Sequence, residues 1–361
     1  MPYGIERERP TNKIQHKISV MKNLVRFSFI QFVFLILVST AFAQNPVPTP
    51  PLDDTSKTFE VRLPVTVTDK KKNLVFCSES KKRSTSEKKK EIVQCFSKDD
   101  FIVLEDGVPQ EVTFFTSEKT NPPVYVGVLM DTSPSTAGKM TFSKRAASDF
   151  LYTVVRLRKD KGAFMTFDNE VNLIQDFTDK LDLLDKAVDR VKKVGSQTAL
   201  YDAVWQFSDE KLRNAPGRRV IVIITDGDDT FSRADINDAI DIAQRTETTI
   251  FGISTKEAFL GAVPGVDAGQ VRDKGDKFLT RLCEETGGEA FFTGDMRALE
   301  ESFKKISEEL RSQYIITYRP ANQTYDGRKR KIEVVFKNKD NADKFKIRSK
   351  TEYRSVRDSL K

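Results

Sequence analysis

The sequence predicts an α/β fold: a doubly wound, mostly parallel open sheet, with an accessory β-rich domain formed by N- and C-terminal flanking strands. Three observations carry this reading. Between residues 124 and 312, short apolar runs alternate with amphipathic stretches of helical period, the signature of successive strand and helix units. Two of those apolar runs, Val124 to Met130 and Val220 to Thr225, stop abruptly at an aspartate. Outside that region the texture turns to alternating strands separated by Asp-Gly turns.

From the N-terminus, residues 1–20 hold no apolar run, whereas Met21, Lys22 and Arg26 precede the apolar stretch Phe27 to Val38 and then Ala41-Phe42-Ala43. A basic start, an apolar core and an A-x-A site compose a secretory signal peptide over residues 1–43, with Met21 as the expected start. The apolar core is short for a bilayer span, which needs about 20 residues. The chain is therefore expected to be secreted or periplasmic, with no stable membrane span after cleavage. Residues 44–57, containing NPVPTPP, read as a Pro-rich linker.

Residues 58–118 read as an N-terminal β module. FEVRLPVTVTD alternates like a strand, and Phe101 to Glu105, the turn Asp106-Gly107 and Val112 to Phe115 read as a hairpin. Within the module a lysine-rich insert, residues 78–94, is flanked by Cys77 and Cys95. In an oxidising compartment these two can pair, which would contribute about 3 kcal/mol through loop closure, or they can remain thiols. Cys283, beside Phe278, Leu279 and Leu282 at helical spacing, reads as a small buried hydrophobe.

Residues 119–312 carry the alternating elements. Strands are expected at 124–130, 163–167, 171–174, 220–225, 249–253 and 290–293, and helices at 139–158, 181–193, 203–213, 234–246, 277–286 and 297–312. The last helix shows why: Leu299, Phe303, Ile306 and Leu310 form one apolar stripe, while Glu300, Lys304, Lys305 and Glu308 fall elsewhere. Residues 313–361 return to strands, YIITY, KIEVVF and FKIR, too few to build a core alone. They are expected to pack with the N-terminal module.

Composition narrows the chemistry. The 361 residues, 38% hydrophobic and 10% aromatic, suffice for real cores, and the net charge of +7 falls to about +3 once the leader's six basic and two acidic residues are removed. That balance gives little reason to expect a nucleic-acid partner. His16 is the sole histidine and lies in the leader, so the exported chain lacks the means for Ser-His-Asp or Cys-His catalysis and for His-containing zinc sites. Neither G-x-x-x-x-G-K-[ST] nor G-x-S-x-G occurs.

The strand ends hold the candidate site. In a parallel sheet the carboxyl ends of all strands share one edge, so Asp131 and Asp226 should converge there. Ser133 and Ser135 follow the first aspartate, and Thr198 sits in the loop SQTALYD before a helix. Three hydroxyls and two carboxylates suit a hard divalent cation, Mg²⁺ with Mn²⁺ or Ca²⁺ as alternatives, completed by water and an oxygen from a partner. A cage of four acids would repel an incoming carboxylate, whereas this set admits one. Taken singly, such residues also cap helices.

The segments DTSPS (131–135), TALYDA (198–203) and ITDG (224–227) resemble the metal-ion-dependent adhesion site, or MIDAS, of the von Willebrand factor type A domain, which has a Rossmann-like sheet. That resemblance implies Asp131, Ser133, Ser135, Thr198 and Asp226 as metal ligands. DDFIVLEDGVPQ (99–110) and LRSQYIITYRP (310–320) further resemble the acidobacterial VWFA-related proteins. The chain departs from the motif at Pro134, where the family has glycine. A noncatalytic, extracytoplasmic protein-binding or adhesion module is expected, capturing an acidic side chain of a protein partner. The alternatives are a structural envelope protein with a weak or inactive metal site and, more remotely, a metal-dependent hydrolase. The latter is opposed by Ser133, which stands where an aspartyl-phosphatase needs its second acid.

Overall fold

The residue pattern of the first strands already assigns their faces. In the computed structural model, which describes residues 60–75, 95–116, 122–192, 194–256, 274–292, 296–324 and 326–355, the chain begins with β1 (Val61–Asp69), β2 (Phe101–Glu105), β3 (Val108–Gln110) and β4 (Val112–Thr116). The leader, the Pro-rich linker, the lysine-rich insert and Cys77 lie outside the described residues. Cys95 is disulfide-bonded, and Cys283 is free and buried.

The expected hairpin of 101–105 with 112–115 is corrected. Asp106 and Gly107 both take positive φ, 50° and 81°, giving a two-residue turn that leads β2 straight into β3. Such a turn matches the twist of its strands, so pairing closes at once. Pro109 is tolerated because β3 is an edge strand. β4 belongs to a different sheet.

The middle of the chain runs β5 (Val124–Asp131), α1 (Met140–Val154), β6 (Lys161–Phe167), β7 (Val171–Thr178), α2 (Leu181–Asp189), α3 (Leu200–Gln206), β8 (Arg218–Thr225), α4 (Ile236–Arg245), β9 (Thr248–Ser254), α5 (Lys274–Glu285), β10 (Ala290–Phe292) and α6 (Met296–Ser312). The six strands form one sheet in the order β10-β9-β8-β5-β6-β7, parallel except for the edge strand β7. The order reverses between β5 and β8, so the topological switch point lies between these two neighbours.

Several helices are shorter than their periodic patterns. Pro134 opens a 3₁₀ turn through Lys139 before α1 begins. α1 stops at Val154, where the chain bends and Asp160 accepts hydrogen bonds from the backbone N–H of Arg156 (3.1 Å) and of Val124 (2.9 Å). After α3 the chain continues as a π-helical turn, Phe207–Leu212.

Strand alternation divides the apolar side chains between two cores. Val126, Val128, Met130, Val222 and Ile224 pack with α1, α2 and α6, including Phe150, Leu184 and Phe303. Leu129, Ile221 and Ile223 pack on the other face with α3, α4 and α5, including Leu200, Ile240 and Leu282. Gly127 lies under this second layer. A Cβ built there would stand 2.1 Å from the Phe207 ring, so the close approach of the π turn to β5 requires glycine.

The chain ends with β11 (Tyr314–Tyr318), β12 (Lys329–Phe336), α7 (Lys339–Lys344), β13 (Phe345–Arg348) and β14 (Glu352–Arg354). These strands combine with the first four into two antiparallel sheets, β13-β1-β11-β4 and β14-β12-β2-β3, whose inner faces share one core. Phe96 sits inside it, with ring centroids 5.1 to 6.1 Å from Phe101, Tyr314, Phe336 and Phe345. The buried Glu105 carboxylate is satisfied by the hydroxyls of Tyr318 (2.7 Å) and Tyr353 (2.9 Å), which makes its burial affordable.

α6 leads into β11 through Gln313 alone. On that helix the buried Glu309 accepts from Thr66 of β1 (3.0 Å) and pairs with Arg348 of β13. Polar contacts thus tie the accessory sheets to the α/β layers.

Replacing Gly127 by alanine should destabilise the fold by about 1–3 kcal/mol through overpacking. Adding Phe207→Leu in the same chain should recover part of the loss, read as the midpoint of chemical unfolding.

Candidate metal centre

β5 and β8 are paired in parallel with Met130 opposite Ile224, so Asp131 and the Thr225-Asp226 end of β8 emerge at the same level. Asp131 is 1% exposed. Its Oδ1 accepts the backbone N–H of Ser133 (2.8 Å), and its Oδ2 accepts the Thr225 hydroxyl (2.6 Å). Ser133 Oγ and Ser135 Oγ lie 3.1 Å apart. Three of the five expected ligands therefore form one hydrogen-bonded group.

Pro134 fits this group without opening it. A residue before proline is driven into extended backbone, and Ser133 has φ −67° and ψ 166°. Pro134 then occupies the first position of the 3₁₀ turn, where a missing N–H costs nothing. Thr136 closes the turn through its hydroxyl, which donates to the Ser133 carbonyl (2.8 Å).

Thr198 and Asp226 come from two further loops held to each other. The Thr198 carbonyl accepts from the backbone N–H of Thr230 and of Phe231, both at 2.9 Å, and the Thr198 N–H donates to the Thr230 hydroxyl (3.0 Å). The loop before Thr198 is fixed to the β5 end by the Gly195 N–H, which donates to the Thr132 carbonyl (2.8 Å). Asp226 is 5% exposed and its Oδ1 is buried without a hydrogen-bond partner.

The electrostatics of the pair follow from burial. Desolvation pushes the Asp131 carboxyl up to about 6; the hydrogen bonds from Thr225 and Ser133 oppose that rise, and the charge of Asp226 adds to it. Two buried carboxylates close enough to repel, one with an unsatisfied oxygen, are a demand for positive charge. Among the described residues no group of three or more His, Cys, Asp or Glu is placed to hold a metal, so a cation here would draw on hydroxyls. All the donors are oxygens, which suits a hard divalent cation.

Sequence reasoning missed supporting residues. Thr225 reads as the tail of a strand, yet its hydroxyl orients Asp131. The Asp229 carboxylate accepts from Ser232 Oγ (2.6 Å) and from the Tyr201 N–H at the start of α3 (3.2 Å). The Asp202 carboxylate accepts the N–H groups of Arg233 and Ala234. Asp228 is exposed, 3.9 Å from Lys256. The signal for these contacts is the run of short polar side chains in both loops, which fold on each other.

Oxygen-bearing side chains gathered at the switch point of a mostly parallel sheet place the chain in the doubly wound α/β class. Residues 126–305 match the von Willebrand factor type A family, and the chain carries a VWA domain. Among solved structures, a von Willebrand factor type A protein from Catenulispora acidiphila is similar at 14% identity and TM-score 0.41, covering 72% of this chain and 74% of that one. An aerotolerance-related membrane protein from Bacteroides fragilis is 17% identical, with TM-score 0.41 and coverage of 52% and 98%. Proximal thread matrix protein 1 from the mussel byssus, solved with zinc in its MIDAS motif, is 14% identical, with TM-score 0.41 and coverage of 55% and 48%. No curated protein matches the sequence. Among the described residues no helix is long and apolar enough to cross a membrane.

The Asp131 shift has a definite pH signature. Its folded pKa lies above the ordinary carboxylate value, so its favourable contribution is complete below about pH 4 and is lost as pH rises through about 6. In chelator, the wild type should lose about 3 kcal/mol relative to Asp131→Asn across that window. Urea unfolding at a series of pH values measures the difference, and saturating Mg²⁺ should cancel it.

Proposed function

We propose that this VWA domain is a noncatalytic, extracytoplasmic protein-binding module. A divalent cation, Mg²⁺ or in its place Mn²⁺ or Ca²⁺, is held by Asp131, Ser133, Ser135, Thr198 and Asp226, and captures an acidic side chain of a protein partner. The observation that carries this reading is the unsatisfied, buried Asp226 Oδ1 beside the buried Asp131 carboxyl. A cation supplies the missing partner of Asp226 and offsets the negative charge of both. With only two carboxylates in the set, one more from a partner can approach without the repulsion a fully acidic cage would impose. The 3.1 Å contact between the Ser133 and Ser135 hydroxyls favours a competent site over the inactive alternative, since Pro134 leaves the two on the same side.

The reading includes export through residues 1–43 and an accessory β domain assembled from residues 58–118 and 313–361 around the VWA domain at 119–312. No step of the proposed capture makes or breaks a covalent bond. The absence of histidine from residue 44 onward agrees with a binding role.

Thermal unfolding of residues 44–361 with rising Mg²⁺ or Mn²⁺ tests the site. Binding should stabilise the wild type by about 2.7 kcal/mol at a hundredfold excess over Kd. Asp226→Asn and Ser133→Ala should respond far less; an equal response in wild type and variants would refute the ligand set.

Partner capture is checked separately by recovering proteins from envelope extract on immobilised wild type and Asp226→Asn, with and without chelator. Cation-dependent capture predicts bands present only on wild type without chelator. The same bands under all conditions would refute it even if metal binds.

A further inference from the structure

At the opposite end of β8 from Asp226, a cleft opens where the α/β domain meets the accessory sheets. It is lined by Arg62 and Pro64 of β1, Arg218 and Arg219 at the start of β8, and Glu247 and Thr249 around the start of β9. Arg219 is held rigidly: its Nε donates to the Ala215 carbonyl (3.0 Å) and its Nη1 to the Thr246 carbonyl (2.8 Å). Arg62 and Arg219 both turn to the same oxygen, Glu247 Oε2, at 3.3 and 3.9 Å. Glu247 is carried there by a left-handed backbone, φ 54°, in the tight turn that ends α4. Few non-glycine residues adopt that conformation.

Lys350, 6% exposed, adds a third cation whose charged neighbours are Glu247 and Arg62. Burial, with Arg62 acting against it and Glu247 in its favour, brings the Lys350 ammonium down to about 8. The Arg219 guanidinium is also lowered, by burial first and by Arg62 in addition. Arg62, Arg219 and Lys350 thus share the Glu247 carboxylate, and Arg218 lines the same cleft, so the partly desolvated junction is short of negative charge. The cleft is partly open to solvent, with room inside it for about one water, so an ion would bind at its mouth.

The geometry points to an oxyanion site at this cleft, with inorganic phosphate as the ligand, bound by the guanidinium fork of Arg62 beside the fixed charge of Arg219. A phosphate dianion offsets part of the surplus positive charge, and guanidinium groups bind its oxygens in bidentate fashion. The Glu247 carboxylate stands where such oxygens would compete for Arg62, whose side chain is 45% exposed and able to turn from Glu247 to the ligand. This site is independent of the cation centre.

The test is calorimetric titration of the exported chain with sodium phosphate in chelator, at an ionic strength fixed by chloride, with acetate and glycerol phosphate as comparison arms. Phosphate should bind the wild type and raise its unfolding midpoint. Arg62→Gln, at a partly exposed position, should weaken binding roughly tenfold or more, while Asp226→Asn should bind phosphate as the wild type does. No binding beyond chloride, or equal binding by Arg62→Gln, would overturn the site. Acetate binding as tightly as phosphate would overturn the phosphate class, and glycerol phosphate binding at least as tightly would overturn the assignment to the free ion.

Discussion

The register of β5 against β8 sets the terms for everything at the strand ends. Pairing Met130 with Ile224 brings two strands that are apolar along their length to the same level, and there both change to acid. Because the pair straddles the switch point, α1 follows β5 on one face of the sheet, while α3 and α4, before and after β8, pack on the other. A slip of one residue would send Met130 and Ile224 into the wrong core and turn Asp131 away from Thr225. The apolar packing of Val126, Val128, Val222 and Ile224 on one face and Leu129, Ile221 and Ile223 on the other prevents that slip. Core packing therefore holds the acids together against their repulsion.

The same strands serve the far end of the sheet. β8 begins at Arg218 and Arg219, beside β1 and β11, and ends at Thr225, so a single eight-residue strand joins a cation-rich junction to an acidic crevice. The junction is braced by groups from distant segments: Arg218 Nη2 donates to the Gln313 carbonyl (2.8 Å), Gln313 Nε2 to Thr66 Oγ1 (3.2 Å), and Glu309 joins Thr66 to Arg348. α6, which seals one face of the sheet with Leu299, Phe303 and Ile306, runs into β11 of the accessory core with one residue between them.

What the sequence revealed follows from which physical signals are local. Strand and helix order in residues 124–312 was legible because one period identifies each element, and the convergence of Asp131 and Asp226 because parallel strands share an edge. The hairpin was misread because 108–110 and 112–115 are both β-like and Pro109 argued against the true partner. Thr225 was missed because a period-two reading counts it as strand, although its neighbour in space is the acid at the end of β5. The cleft was illegible: Arg62, Arg219, Glu247 and Lys350 lie in separate segments, none with a pattern that singles it out.

The choice of hydroxyls over acids in the proposed metal set has a consequence for selectivity. Asp131 spends both oxygens on internal donors, Thr225 and the Ser133 N–H, and so is stiff before any cation arrives. Asp226 keeps one buried oxygen unengaged. A cation entering such a set meets one fixed carboxylate, one unsatisfied carboxylate and hydroxyls that bring no charge, so the protein alone satisfies its valence without closing its shell. The remaining coordination then falls to water or to an oxygen from outside, and a carboxylate is the outside oxygen with most to gain, because it adds charge as well as a lone pair. Extra acids in place of Ser133 or Ser135 would hold the ion more tightly and remove that gain, so in the proposed site the serines count as much as the aspartates.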